Sequence, residues 1–201
     1  RSNWEAYFED GKDTKLDCSV NDSRELRDSN YLQYKFDVAE NSWSTCGIYF
    51  NSTQNWQAGQ GIVFYLRSDQ ANMSYEVNLF GGTPNAHTSY IYWSETPPES
   101  VNEWVRVEIP WSEILGVRWE ADSGKPFDPA IVTGFAIGVS TDEGVRESGT
   151  LWIDDLQLLQ VTGASEPKAF LDRFEDKPPE GRSGWVTNFE AGKNTKLDCQ
   201  V

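Results

Sequence analysis

Alternation of apolar and polar residues with a period of two dominates this chain and decides its fold class before any other feature is used. It runs through YLQYKFDV (31–38), GIVFYLRS (61–68), SYEVNLF (74–80), SYIYW (89–93), WVRVEIPW (104–111), VTGFAIGVS (132–140) and TLWIDDLQLL (150–159). Successive side chains of a strand point to opposite faces, so such a stretch buries one face and leaves the other to solvent. Between the stretches stand STQNWQAGQG, GGTPNAH, ETPPESVNE, DSGKPFDP and TDEGVRESG, rich in the Gly, Pro, Asn and Asp of turns. Helical hints are confined to one turn at WSEIL and another after Pro129. Many strands and no long amphipathic helix predict an all-β fold, a two-sheet antiparallel β-sandwich of the jelly-roll type.

A repeat divides the chain. RSNWEAYFEDGKDTKLDCSV at 1–20 returns as RSGWVTNFEAGKNTKLDCQV at 182–201, with thirteen of twenty positions identical. A period of 181 residues is a whole domain, far longer than a solenoid unit. The expected organisation is a sandwich module over 1–160, a linker over 161–168, and the start of a next repeat over 169–201. Beginning at Arg1, the chain reads as a piece of a larger tandem protein. Residues 169–176, containing FLDRFED, are placed to complete the first sandwich by returning to its closing strand. Nine extended residues reach roughly 30 Å, enough for that return. The same reach allows the tail to pair with a second copy, giving a strand-swapped assembly.

Cys199 copies Cys18, so one period holds two cysteines, Cys18 and Cys46. An even count points to a Cys18–Cys46 disulfide and an oxidising, extracellular compartment, hence a secreted protein. Two buried free thiols are the alternative. The net charge of −15 opposes phosphate backbones and anionic lipid, which argues against nucleic acid and membrane surfaces as partners. No apolar run reaches the ~18 residues of a membrane span.

Catalytic signatures are missing. There is no E-x-D-x-x-E string, no G-x-S-x-G and no phosphate-cradling glycine loop, and His87 is the only histidine. The expectation is a protein that is not an enzyme. Nine Trp and eight Tyr exceed what one sandwich core needs, and the surplus suits flat apolar surfaces offered to a ligand. By alternation, Tyr65 and Arg67 point outward from their strand, Glu76 and Asn78 from theirs, and Arg106 with Glu108 from a third. Set side by side, these strands would form a surface of Tyr, Arg, Glu and Asn, with His87 and the further aromatics of NAHTSYIYW at its rim. Sugars are held by such surfaces, because rings cover C–H faces while carboxylate, amide and guanidinium groups bond hydroxyls. An ordinary solvated sheet face is the alternative.

NWEAYFEDGKDTKL, WVRVEIPWSEI and TLWIDDLQLL, together with FLDRFED in the tail, resemble family 11 carbohydrate-binding modules in strand order over most of the chain. The resemblance implies a β-jelly-roll with a concave glycan cleft, structural Ca2+, attachment to a glycoside hydrolase and a β-glucan-type polysaccharide as partner. On that resemblance the tyrosine of NWxxY is Tyr7, and the aromatic before the GIY strand is Trp43. A third cleft tyrosine of the family would fall in GFAIGVS, which has no tyrosine. Calcium takes six to eight oxygen ligands, and the candidates are Asp154, Asp155, Glu175 and Glu9, with Asp172 beside them. Glu9 is retained as Glu190 where Asp10 becomes Ala191. Solvated acidic side chains beside a turn are the alternative to a metal site. The function expected is non-catalytic binding of a β-linked polysaccharide; its rival is a structural spacer in a secreted or cell-surface protein.

Overall fold

The computed structural model describes residues 4–21, 26, 29–120, 123–160 and 170–172. Its strands are β1 (Glu5–Phe8), β2 (Lys15–Asn21), β3 (Tyr31–Val38), β4 (Trp43–Gln54), β5 (Gly61–Ser68), β6 (Ser74–Thr83), β7 (Ala86–Glu95), β8 (Val105–Pro110), β9 (Leu115–Gly116), β10 (Val132–Ser140), β11 (Glu147–Leu159) and β12 (Phe170–Asp172). They form two antiparallel sheets. The first runs β1–β4–β10–β6–β7–β9 and the second β2–β3–β11–β5–β8, with β12 beside β11. The only helical pieces among the described residues are 3-10 turns at Pro98–Ser100 and Trp111–Glu113. The second realises the hint at WSEIL. After Pro129 the chain makes a plain turn.

Alternation explains which side of each strand is dry. Leu32, Tyr34 and Phe36 of β3, Ile62, Phe64 and Leu66 of β5, and Leu151 and Ile153 of β11 face inward from one sheet. Cys46 and Ile48 of β4, Val77 and Leu79 of β6, and Phe135, Ile137 and Val139 of β10 meet them from the other. Each such large side chain contributes about 1.5–3 kcal/mol on burial. Trp4 joins this core through an edge contact with Phe135, at 5.7 Å between ring centroids. Tyr34 also ties the layers together: its hydroxyl, fully enclosed, donates to the Ser44 carbonyl oxygen at 2.9 Å and lies 2.8 Å from the Ser44 hydroxyl. Burial pushes that phenol well above its ordinary pKa, so it stays a donor.

The expected disulfide is present. Cys18 of β2 and Cys46 of β4 are bonded, their Cα atoms 5.6 Å apart, so the bridge links one sheet to the other.

Three readings of strand arrangement need correction. β5, β6 and β8 do not lie side by side: β5 pairs with β8 in the second sheet, whereas β6 pairs with β10 and β7 in the first. Alternation tells which residues point outward but not which layer a strand joins, and the connection 69–73 crosses between layers. GGTPNAH is not a loop either. It is the tip of the β6–β7 hairpin, where Thr83 pairs with Ala86 and Gly82 with His87. Strands β1, β2 and β4 complete both sheets in stretches where the alternation had not been used.

β12 lies antiparallel to β11, with Leu156 opposite Asp172 and Gln157 opposite Phe170. β3 covers β11 only as far as Ile153, so β12 occupies the row beyond the end of β3. The linker 161–168, Glu175 and the second copy of the repeated phrase lie outside the described residues.

Candidate functional site

The outer face of the first sheet is the most unusual surface of the molecule. Its centre is β10, where Phe135, Ile137 and Val139 point into the core and Gly134, Ala136 and Gly138 point away from it. Three small residues in the middle strand lower the surface along its length. Gly138 is required there by close approach: a Cβ would stand 2.6 Å from Thr45 Cγ2 and 2.8 Å from the Ser44 carbonyl oxygen. Register then fixes what stands on either side. One row across the sheet reads Tyr7, Thr45, Gly138, Glu76, Trp93. The next reads Glu5, Gly47, Ala136, Asn78, Ile91, Leu115, and a third reads Tyr49, Gly134, Phe80, Ser89. The result is a groove with a floor of glycine and alanine between taller walls.

One wall, on β1 and β4, is made by Tyr7 and Tyr49, and the Tyr49 ring meets Phe80 and His87 across the Gly134 end of the floor. Tyr49 meets Tyr7 edge-on at 5.7 Å, Phe80 at 4.8 Å and His87 at 5.1 Å between centroids. Tyr49 is still 40% exposed, so its ring is held by its neighbours without being hidden. The Tyr7 hydroxyl donates to Glu5 Oε2 at 2.8 Å. Partial burial, and then that bond to Glu5, push the Tyr7 phenol far above its usual pKa, and burial raises that of Tyr49. Both rings therefore carry neutral hydroxyls at any physiological pH.

The opposite wall is Trp93, 52% exposed. Its indole N–H turns inward and donates to Glu76 Oε2 at 3.1 Å. The Ser140 hydroxyl donates to the same oxygen at 2.9 Å, and the Asn78 amide donates to Oε1 at 3.1 Å. Glu76 is only 5% exposed, a carboxylate sunk in the floor and fixed by three donors from three strands. The polar edge of Trp93 is thus satisfied from below while its apolar face is left to solvent. Trp43, 40% exposed and paired with Ser140, stands at one end. These rows contain no Lys or Arg.

The expected ligand residues separate into two groups. Tyr7, Trp43, Glu76, Asn78 and His87 come together on this face. Tyr65, Arg67 and Arg106 lie on the outer face of the second sheet, on the far side of the core. There Arg67 stacks over Trp152 at 5.7 Å and reaches Asn102, and Arg106 pairs with Glu108. The combined Tyr, Arg, Glu and Asn surface therefore does not exist, because it needed β6 beside β5. Residues not expected from sequence are Tyr49, Phe80, Glu5, Ser140 and the glycine floor, while Trp93 is one of the aromatics of NAHTSYIYW. The outward positions of GFAIGVS, which carry no tyrosine, are that floor, and Tyr49 on the adjacent strand pairs with Gly134 beside it.

Of the proposed metal ligands that are described, Glu9 stands apart from Asp154 and Asp155. Among the described residues no group of three or more His, Cys, Asp or Glu side chains could hold an ion. Asp154 is fully buried, with one oxygen accepting from Ser29 at 2.6 Å and the other from the Asp155 backbone N–H at 2.7 Å. Asp155 has φ 52°, at a register shift in β11. Glu9 stands elsewhere: its backbone N–H bonds the Trp43 carbonyl beyond one end of β3, whereas Asp154 follows Ile153, paired with Leu32 near the other end. Six residues of strand separate those ends, roughly 20 Å, so Glu9 cannot share an ion with Asp154.

No family model matches the chain, and no curated protein matches it. Solved structures do. A family 11 carbohydrate-binding module from Clostridium thermocellum, in complex with a β-1,3-1,4-mixed-linked tetrasaccharide, is similar at TM-score 0.62 and 16% identity, over 79% of this chain and 89% of that one. A family 11 module of a cellulosomal cellulase from the same organism aligns at 0.62 and 14%, over 80% of this chain and 89% of that one. A family 30 module of another of its cellulosomal cellulases gives 0.55 and 12%, over 80% and 93%. At such identities the likeness is one of fold, and the fold shared is the antiparallel β-sandwich seen in these modules.

Proposed function

We propose that this chain is a non-catalytic, glycan-binding module that holds a neutral β-linked polysaccharide along the groove of the first sheet. The observation that carries the reading is Trp93, a flat ring offered to solvent and locked by a buried carboxylate beside a floor of glycine. A pyranose has an apolar C–H face and a rim of hydroxyls, and the groove offers rings for one and Glu5, Asn78, Tyr7 and Tyr49 for the other. The absence of cations from these rows favours uncharged polymers over uronates. The sandwich likeness to a module solved with a β-1,3-1,4-mixed-linked tetrasaccharide supports the same class, with a β-glucan as the first polymer to try. Delivery of an attached glycoside hydrolase to its substrate, and a secreted location, complete the proposal. The Cys18–Cys46 bond suits an oxidising compartment.

Catalysis does not fit this face. The two carboxylates within the rows of the groove, Glu5 and Glu76, stand on strands three spacings apart, about 14 Å. Glycosidase pairs work at roughly 5 to 9.5 Å. Affinity electrophoresis in gels of soluble neutral β-glucan tests the proposal. Wild type is expected to be retarded, with no reducing sugar released, and Trp93→Ala should weaken retention about tenfold, the loss of ~1.4 kcal/mol. No retardation on any neutral polysaccharide would favour a structural spacer; released sugar would make the protein an enzyme.

Calcium enters the proposal on Asp154 and Asp155 alone. Ligands of the native state stabilise it by mass action, so a chelator should lower the unfolding midpoint and added calcium should restore it. A midpoint indifferent to both removes calcium from the account.

A further inference from the structure

A second concavity lies away from the groove, at the end of the sandwich where β4 gives way to β5. It is a shallow, open depression of about 540 Å³ lined by Gln57, Gln60, Pro110, Trp111, Ser112 and Pro129 with Gly59. None of these residues carries a charge and none belongs to the groove.

The chemistry of the lining is that of a sugar site. The ring of Trp111 rests on Trp56 at 6.4 Å, with 24° between their planes, and on Phe127 at 5.4 Å. Its indole N–H is used internally, donating to the Gly59 carbonyl oxygen at 2.8 Å. What Trp111 adds to the cleft is therefore apolar ring. The Gln60 amide and the Ser112 hydroxyl take no partner among the described residues. They are donors and acceptors in waiting, beside a flat apolar surface.

The walls are also fixed before any ligand arrives. The backbone N–H of Trp111 bonds the Gln60 carbonyl at 2.9 Å, that of Gln60 bonds Leu159 at 2.8 Å, and that of Trp56 bonds Pro129 at 2.7 Å. At Gly61 the β5 backbone presses so closely on β8 that a Cβ would collide with the Ile109 carbonyl oxygen. The backbone beneath the depression is thus set in advance, and the ordering left to oppose binding is that of the exposed Gln60 and Ser112 side chains.

We propose that this cleft is a second binding site, for a single neutral sugar unit or the end of an oligosaccharide, independent of the groove. The test uses the full chain and three probes: cellotetraose, mannotetraose and xylotetraose. The readouts are the indole N–H resonances of Trp111 and Trp93, with affinity taken from their titration. Because Trp111 packs into the core, the exposed pair Gln60→Ala and Ser112→Ala serves as the cleft variant. In Trp93→Ala, at least one probe is expected still to shift Trp111, and the cleft variant should weaken that binding about tenfold, as for lost hydrogen bonds. If Trp93 stays still in wild type while Trp111 moves, the groove reading fails and the cleft stands. If Trp111 is unmoved by all three probes, or moves with undiminished affinity in the cleft variant, the inference is overturned.

Discussion

Replacing Cys18 and Cys46 together by alanine is expected to lower the unfolding free energy by roughly 3 to 4 kcal/mol. The bridge closes a loop across a sequence separation of 28, and a loop of that size removes a large part of the unfolded chain's freedom. Its position adds to the effect. β2 is an edge strand, held along one side by β3, and the disulfide is its covalent tie to the opposite sheet. A domain of this size has only about 5–15 kcal/mol in hand, so the change is a large fraction of the whole. Removing both cysteines leaves no half of the bridge behind, and Cys199 is replaced by serine in both proteins so that no thiol confuses the reading. Urea unfolding of the double variant against the oxidised protein measures it. A difference below about 1 kcal/mol would show that packing alone fixes β2.

The second large effect is at Glu76. Glu76→Ala removes the acceptor of three hydrogen bonds, from Trp93, Ser140 and Asn78. Their donors would be left short of partners in a nearly buried place, and the cost should be about 2 to 3 kcal/mol. Binding should fall further than stability alone explains, because Trp93 would lose the bond that orients its ring. Glu76→Gln keeps the shape and one acceptor, so it should fall between the two. Equilibrium unfolding and glycan titration on all three proteins separate the effects. If Glu76→Ala binds like wild type, the carboxylate does not hold the platform and the proposed role of Trp93 loses its support.

Much of this was legible from residue types, and the part that was not has a clear cause. Alternation set the inward and outward faces of β5, β6 and β8 correctly, because it is a property of one strand at a time. The same rule would have found Tyr49. Once Cys46 faces a cysteine across the core, parity sends Trp43, Thr45, Gly47 and Tyr49 to the opposite side. Which strands share a sheet is a different kind of fact. It depends on where connections such as 69–73 cross, and nothing in the alternation of GIVFYLRS and SYEVNLF says that they belong to different layers. Arg67 and Arg106 were lost from the site for that reason. Glu76 was legible as outward but not as buried, since its cover comes from β7 and β10. Glu9 failed as a partner of Asp154 because closeness between the first and last strands does not say at which end of the sandwich each carboxylate stands.

The central claim is that the outer face of the first sheet, and not that of the second, receives a neutral glycan. The most direct measurement is a map of backbone amide shifts during titration with a mixed-linkage β-glucan tetrasaccharide. The account predicts that the largest changes fall on Thr45, Gly138, Glu76, Asn78 and Trp93, with the amides of Tyr65, Arg67 and Arg106 nearly still. Changes concentrated on Tyr65, Arg67 and Arg106, or a spectrum that does not respond at all, would contradict it.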